Sequence, residues 1–278
     1  MRCGRLPLLE DRTCAICQGD VGFPNVRKAA QLEERRALAS RVLSVRRNAR
    51  AAGATRELRR LWRFASDAET IFNRKLITLQ EWITGPSPFF FGFHHDQVHG
   101  LRPALDKYER MRIAVESTVN PGCYQHLNTA AVGGAGPGLV HYGPYRVVLD
   151  PNTIAHRASI FEKNPFIFCA DKSILVGEES PVGYRAEYSR KGALALAKLG
   201  DLVSPGMTDA QLWSLVMDDA AGARQDCDFI EAHIYGPIHR DSIVSVRGPR
   251  PKKKADRAIW QEIKDHLAAR GVPVRETL

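Results

Sequence analysis

Residues 229–238 read "FIEAHIYGPI". Ile230, Ala232 and Ile234 alternate with Phe229, Glu231 and His233. A two-residue period marks a β-strand, whose side chains point to opposite faces in turn. One face of this strand is apolar, and the other holds a carboxylate and an imidazole two positions apart. A carboxylate sharing a strand face with a histidine among apolar neighbours is a candidate functional group. The same spacing also fits a half-buried strand with Glu231 turned to solvent.

A second polar cluster lies at 89–100, "FFFGFHHDQVHG". The aromatic run reads as a strand. His94, His95 and Asp96 follow as groups projected from the strand end into a cleft, or as loop residues satisfied locally. Asp96 either orients a histidine or caps a turn, and His99 before Gly100 reads as a turn residue. Between the two clusters, "PYRVVLD" reads as a strand closed by Pro151-Asn152, and "VGGAGPGLVHYG" as a glycine-rich connection.

Residues 25–85 have a different texture. "NVRKAAQLEERRALASRVLSVRRNARAAG" is rich in good helix formers, with Asn25 as its expected cap and Gly53 as its stop. Thr55 is the expected cap of a second helix, and Asp67 opens a third, "AETIFNRKLITLQEWI", ending at Gly85-Pro86. The first two helices carry arginines 27, 35, 36, 41, 46, 47, 50, 56, 59, 60 and 63. These form either a solvated face or a phosphate-binding surface. Farther on, "RKGALALAKLG", "TDAQLWSLVMDDA" and "RAIWQEIKDHLAARG" read as helices, with Thr208 capping the second.

The expected organisation is a Cys-containing segment 1–24, a basic helical region 25–85, and an α+β domain 86–278 as the catalytic part. No βαβ alternation supports a doubly wound sheet. The formal net charge of +9 favours an acidic partner, such as nucleic acid or nucleotide phosphates. No apolar run is long enough for a membrane span, and no secretory signal is expected at the start of the chain. Cys3, Cys14 and Cys17 supply three thiols. A structural zinc needs four ligands, so reduced thiols are the expectation and zinc would require a distant fourth donor. GxxxxGK[ST], a Rossmann turn, HExxH and GxSxG are all absent, which removes several common enzyme classes.

Five segments in order resemble a bacterial family known as a domain of unknown function. They are "FHHDQ" (93–97), "CYQHLNTAAVGG" (123–134), "HYGPYRVVL" (141–149), "HRASIF" (156–161) and "FIEAHIYGPI" (229–238). The family's corresponding motifs are FHPDR-like, YxSQFETGxSNG-like, FGSCHLVL-like, RxTF and EVQIHGPV-like. The last is the most specific match, while the second lacks its Phe-Glu-Thr-Gly core. That family is in turn similar to ADP-ribosyltransferases, including bacterial toxins.

The resemblance implies an NAD-consuming transferase with a split β-sheet, of toxin or effector type. Glu231 would stabilise an oxocarbenium-like ribose, with His94 on the ribose or nicotinamide amide and His233 assisting the acceptor. Asp96, Tyr124, Asn128, Arg146, Arg157 and Ser159 would complete the NAD site, an arginine taking the pyrophosphate. Position 229 holds Phe where arginine-specific relatives carry Gln or Glu, so another acceptor, nucleic acid or a protein target, stays open. The implied partners are NAD, that acceptor and a cognate inhibitor. The implied setting is the cytoplasm of its own cell or of a target cell. Two rival readings remain: a non-enzymatic nucleic-acid-binding protein built on the arginine-rich helices, and a metal-dependent nuclease built on the His/Asp cluster and the CxxC of Cys14 and Cys17.

Overall fold

The computed structural model describes residues 11–98, 107–217 and 228–277; Cys3 and His99 lie outside them. The chain opens with α1 (Pro24–Ala29), α2 (Leu32–Ala51) and α3 (Thr55–Asp67), followed by β1 (Glu69–Arg74), α4 (Leu76–Thr84) and β2 (Phe89–Phe90). Next come α5 (Phe93–Val98), α6 (Lys107–Val119), β3 (Leu127–Gly133), β4 (Tyr145–Leu149), α7 (Pro151–Ile154) and β5 (Ala158–Phe161). Then α8 (Pro165–Lys172), β6 (Arg185–Glu187), α9 (Lys191–Leu199) and α10 (Asp209–Val216) lead to β7 (Ile230–Tyr235). The chain ends with β8 (Ile238–His239), β9 (Ile243–Pro249), α11 (Lys254–Ala268) and β10 (Val274–Thr277). The fold is α+β with a helical N-terminal region.

Eight strands form one sheet in the order β10-β9-β4-β1-β3-β7-β5-β6, and β2 pairs with β8 in a separate ribbon. Pairing is antiparallel except between β9 and β10. The large sheet is continuous, where the ADP-ribosyltransferase resemblance implies a split one.

Alternation divides the two faces of the sheet. Phe72, Ala130, Val147, Ile160, Ile230, Ala232 and Ile234 turn toward α2, α3, α4, α9 and α11 and share one core with Leu38, Leu61, Trp82, Leu194 and Trp260. The opposite face carries a small apolar cluster around Ile71, Ala131 and Val148 and a second around Phe161, Phe168 and Val119. Glu231 and His233 lie on that second face, so β7 is buried on both sides.

Several local expectations change. Residues 69–74, read as part of a helix, form the strand β1 at the centre of the sheet, between β4 and β3. Thr70, Ile71 and Phe72 suit a pleated surface, and ladder partners on both sides outweigh helix propensity. The helical region and the residues after it therefore share one core. The long helix expected from Asn25 breaks between Ala29 and Leu32. Asn25 is not a cap but is wholly buried inside α1. The aromatic strand stops at Phe90, and Phe93–Val98 is a helix, so His94 and His95 do not sit at a strand end. Gly92 makes that turn; a Cβ there would stand 2.9 Å from the Leu127 carbonyl oxygen. Thr208 caps α10 through a full capping box with Gln211. No helix of the described residues is long and apolar enough to cross a membrane.

Candidate functional site

A cavity of about 560 Å³ opens between the second face of the sheet and the helices α5, α6 and α8. Register places Glu231 between Ala131 on β3 and Phe161 on β5. The small Ala131 side chain leaves room beside the carboxylate. Phe91, Phe93, Tyr142 and Phe166 supply aromatic wall, and Asp96, Arg74, Arg112, Glu116 and Glu231 the charge.

Glu231 is 3% exposed and held from two directions. Asn164 precedes Pro165 at the start of α8 and caps it: its Oδ1 accepts from the Phe166 N–H at 3.0 Å. That assignment leaves the Asn164 amide nitrogen to donate to Glu231 Oε1 at 3.0 Å. His233 Nε2 lies 3.0 Å from Glu231 Oε2, and its Nδ1 lies 3.2 Å from Asn120 Nδ2. The Asn120 oxygen faces an Arg185 guanidinium nitrogen at 3.3 Å. A guanidinium only donates, so Asn120 presents its NH₂ to His233 Nδ1, which must accept. The imidazole proton therefore sits on Nε2 and is donated to Glu231. A carboxylate with two donors and a fixed tautomer behind it is a preorganised negative charge.

The chain of contacts continues inward. Arg185 Nε pairs with Glu34 Oε1 at 3.1 Å and its Nη2 donates to the Val119 carbonyl at 2.7 Å. Burial pushes the Glu34 carboxyl up and the Arg185 guanidinium down, each partly offset by the other. Asn25 donates to the His233 carbonyl at 2.8 Å and to Ser159 Oγ at 3.3 Å. The N-terminal helices α1 and α2 thus brace the strand that carries Glu231.

A second wall is built on α6. Arg112 and Glu116 are four residues apart, on the same helical face, and form an ion pair. His94 Nε2 lies 2.7 Å from the other Glu116 oxygen. Burial would raise the Glu116 carboxyl, but the Arg112 charge and the His94 hydrogen bond outweigh it and hold it down at about 2. Burial would lower Arg112; Glu116, and more weakly Glu231, outweigh it and keep it raised. Arg74 packs over the rings of Phe72 and Phe90 at 4.4 and 4.5 Å. Burial and the repulsion of Arg112 push it down to about 10, and among the described residues no carboxylate pairs with it. Arg112 is matched by Glu116, so Arg74 is the guanidinium beside the cavity left to favour an anion there.

The expected site residues separate into groups. Glu231, Asp96 and Asn128 line the cavity. Asn128 donates to the Gly236 carbonyl at 2.8 Å and keeps a buried carbonyl oxygen with no protein partner, an acceptor open to a ligand. His233 stands behind Glu231, and His94 behind Glu116. Tyr124 packs edge-on against His94, with ring centroids 5.1 Å apart, away from the cavity. Three residues are engaged elsewhere. Arg146 pairs with Glu69 and the Gly134 carbonyl. Arg157 holds the Thr153 and Pro237 carbonyls at 3.3 and 2.9 Å. Ser159 is bonded to Asn25. The cavity's cations are Arg74 and Arg112, which the sequence reading did not single out, nor did it single out Glu116, Asn120, Asn164 or Arg185. Asn-Pro before an apolar run is a cap signal that could have found Asn164.

Among the described residues no three His, Cys, Asp or Glu side chains converge as a metal site. No family model matches the chain, and no curated protein matches it significantly.

Proposed function

We propose that the chain cleaves the glycosidic bond of a nucleotide, with NAD as the substrate that the motif resemblance implies, and transfers the ADP-ribosyl group to an acceptor. The observation that carries this is Glu231, buried at the wall of a nucleotide-sized cavity and held, among the described residues, by the neutral donors His233 and Asn164. Small-molecule sites typically span roughly 300–1,000 Å³, and this cavity has about 560 Å³.

When the nicotinamide–ribose bond breaks, its electron pair leaves with the ring nitrogen and positive charge develops on the ribose. Glu231 stabilises that charge and accepts from a ribose hydroxyl. His233 and Asn164 hold the carboxylate in place, so little reorganisation accompanies the reaction. Arg74 and Arg112 take the pyrophosphate, the role first given to Arg146 or Arg157. The Asn128 oxygen accepts from an amide or hydroxyl of the ligand. The acceptor nucleophile adds to the ribose carbon and loses its proton to water or to a base on the acceptor side.

The test is nicotinamide release from NAD, followed by chromatography, with and without added protein and nucleic-acid acceptors. Glu231→Gln should lower the rate by about 100-fold or more while circular dichroism stays that of wild type and melting falls by a few degrees at most, since one of the two donors on the carboxylate loses its acceptor. Absence of release under all acceptor conditions, or a Glu231→Gln variant as fast as wild type, overturns the reading.

A further inference from the structure

The helical side of the sheet, away from Glu231, carries its own signal. The apolar sides of α2 and α3 are spent on the core through Leu38, Val42, Val45, Leu58, Leu61 and Ala65. Both helices pack on α9, which lies beneath them. Their outward sides hold Arg36, Arg47 and Arg50 on α2 and Arg56, Arg59 and Arg63 on α3, all exposed, with Arg46 on the flank. Between Arg35 and Ser66 the one carboxylate is Glu57, which is buried and accepts from the Gly206 N–H at 3.3 Å.

Neighbouring acids are already used. Arg35 takes Glu187, Arg41 takes Glu162 and Arg60 takes Asp209, while Asp201 accepts from Asn48. The seven outward and flanking arginines have no carboxylate partner among the described residues. Like charges at this density repel one another, so an uncompensated cluster is destabilising unless something anionic covers it.

We propose that this two-helix face binds the phosphate backbone of double-stranded nucleic acid, independently of sequence. Three features select that occupant. The row from Arg36 to Arg50 runs about 21 Å at the rise of an α-helix, far longer than one nucleotide and suited to a polyanion. Guanidinium groups match phosphate oxygens bidentately. Aromatic side chains are sparse among the arginines, with Trp62 on the flank, so the face lacks the stacking platform of a single-strand binder. It also lacks the continuous lipid-facing apolar row of a membrane-surface helix: the exposed large apolar side chains of the two helices are scattered singly, Leu32 and Leu43 on α2, eleven positions apart, and Trp62 on α3. Because the cavity opens on the other side of the sheet, a docked duplex leaves it accessible. The face places the protein on the polymer without presenting the acceptor.

The experiment is fluorescence anisotropy with a labelled mixed-sequence DNA duplex of about 20 base pairs, titrated at 50 and 200 mM salt. Wild type should bind at low salt and weaken steeply as salt rises. The combined variant Arg47→Gln, Arg50→Gln, Arg56→Gln, Arg59→Gln should bind at least tenfold more weakly, with the salt slope reduced by about 3–4. Its melting should match or exceed that of wild type, since all four side chains are exposed and their mutual repulsion is removed. Glu231→Gln should bind the duplex as wild type does, which separates this inference from the cavity reading. No binding at 50 mM salt, or equal binding by the quadruple variant, overturns it. Tighter binding to phosphatidylserine vesicles or to polyglutamate than to the duplex overturns it too.

Discussion

Two carboxylate–imidazole pairs wall the same cavity, and they are built to opposite ends. Glu116 on α6 holds His94 with one oxygen and the Arg112 guanidinium with the other. Glu231 on β7 holds His233 and the amide of Asn164. The first pair therefore contains its own cation. Among the described residues the second meets only neutral hydrogen-bond donors, and its charge faces whatever enters the cavity. Burial and partner count are similar, so neither tells a structural carboxylate from a reactive one; the sign of the partners does.

The largest expected effect tests that contrast directly. Glu231→Gln should remove turnover by about two orders of magnitude at the smaller stability cost, about 1–2 kcal/mol, because the glutamine oxygen accepts from one of His233 and Asn164 while its NH₂ faces the other donor. Glu116→Gln should do the reverse. It leaves Arg112 half-buried beside the cavity without its counter-charge, costing about 2–4 kcal/mol of stability, while turnover falls only as far as Arg112 is displaced. Chemical denaturation and nicotinamide release on the two variants decide it. If both lose activity equally and neither loses stability, the distinction between the walls fails.

Acid sharpens the same contrast. The Glu116 carboxyl is held at about 2 against an ordinary value of 4.5. A depressed carboxyl stabilises the fold above its unfolded value, and that stability drains away as pH falls from about 4.5 through about 2. Wild type should therefore lose stability steeply below pH 4.5, in a transition that Glu116→Gln flattens. An acid limb unchanged in that variant assigns acid sensitivity to other groups.

A smaller effect lies one step behind Glu231. Asn120 sets the His233 tautomer because its oxygen is taken by Arg185. In Asn120→Asp, a carboxylate replaces the donor at Nδ1, so a second imidazole proton is favoured there. The expected result is a drop in turnover of about tenfold, with ¹⁵N imidazole shifts moving from the Nε2–H tautomer toward imidazolium. A purely structural role for Asn120 would lower the melting temperature without moving those shifts.

How much of this could be read beforehand follows the range of the interactions. The two-residue period of 230–235 put Glu231 and His233 on one face, and the structure keeps them there. Thr208 and the flanks of α9 and α11 were equally local and equally plain. His94 misled because an aromatic run looks like a strand until Gly92 turns it against the Leu127 carbonyl. Arg112 and Glu116 have the spacing of an ordinary surface ion pair on a helix, and only tertiary packing makes them a cavity wall. Asn25, Asn120 and Arg185 are far from β7 in the chain, so no local pattern joins them to it. β1 was hidden for the same reason, since a short segment becomes a strand when both edges find partners.

The smallest expected effect separates two duties of one side chain. Asn164 caps α8 with its oxygen and steadies Glu231 with its nitrogen. Serine keeps a capping oxygen but has no reach to the carboxylate, whereas alanine has neither. Asn164→Ser should therefore lose turnover about fivefold, the worth of one hydrogen bond, at an unchanged melting temperature. Asn164→Ala should lose the same turnover and in addition melt about 2–4 °C lower, as the cap's ~1 kcal/mol is removed. Should serine restore full activity, Asn164 acts on the helix alone, and the preorganisation of Glu231 rests on His233 without help from a second neutral donor.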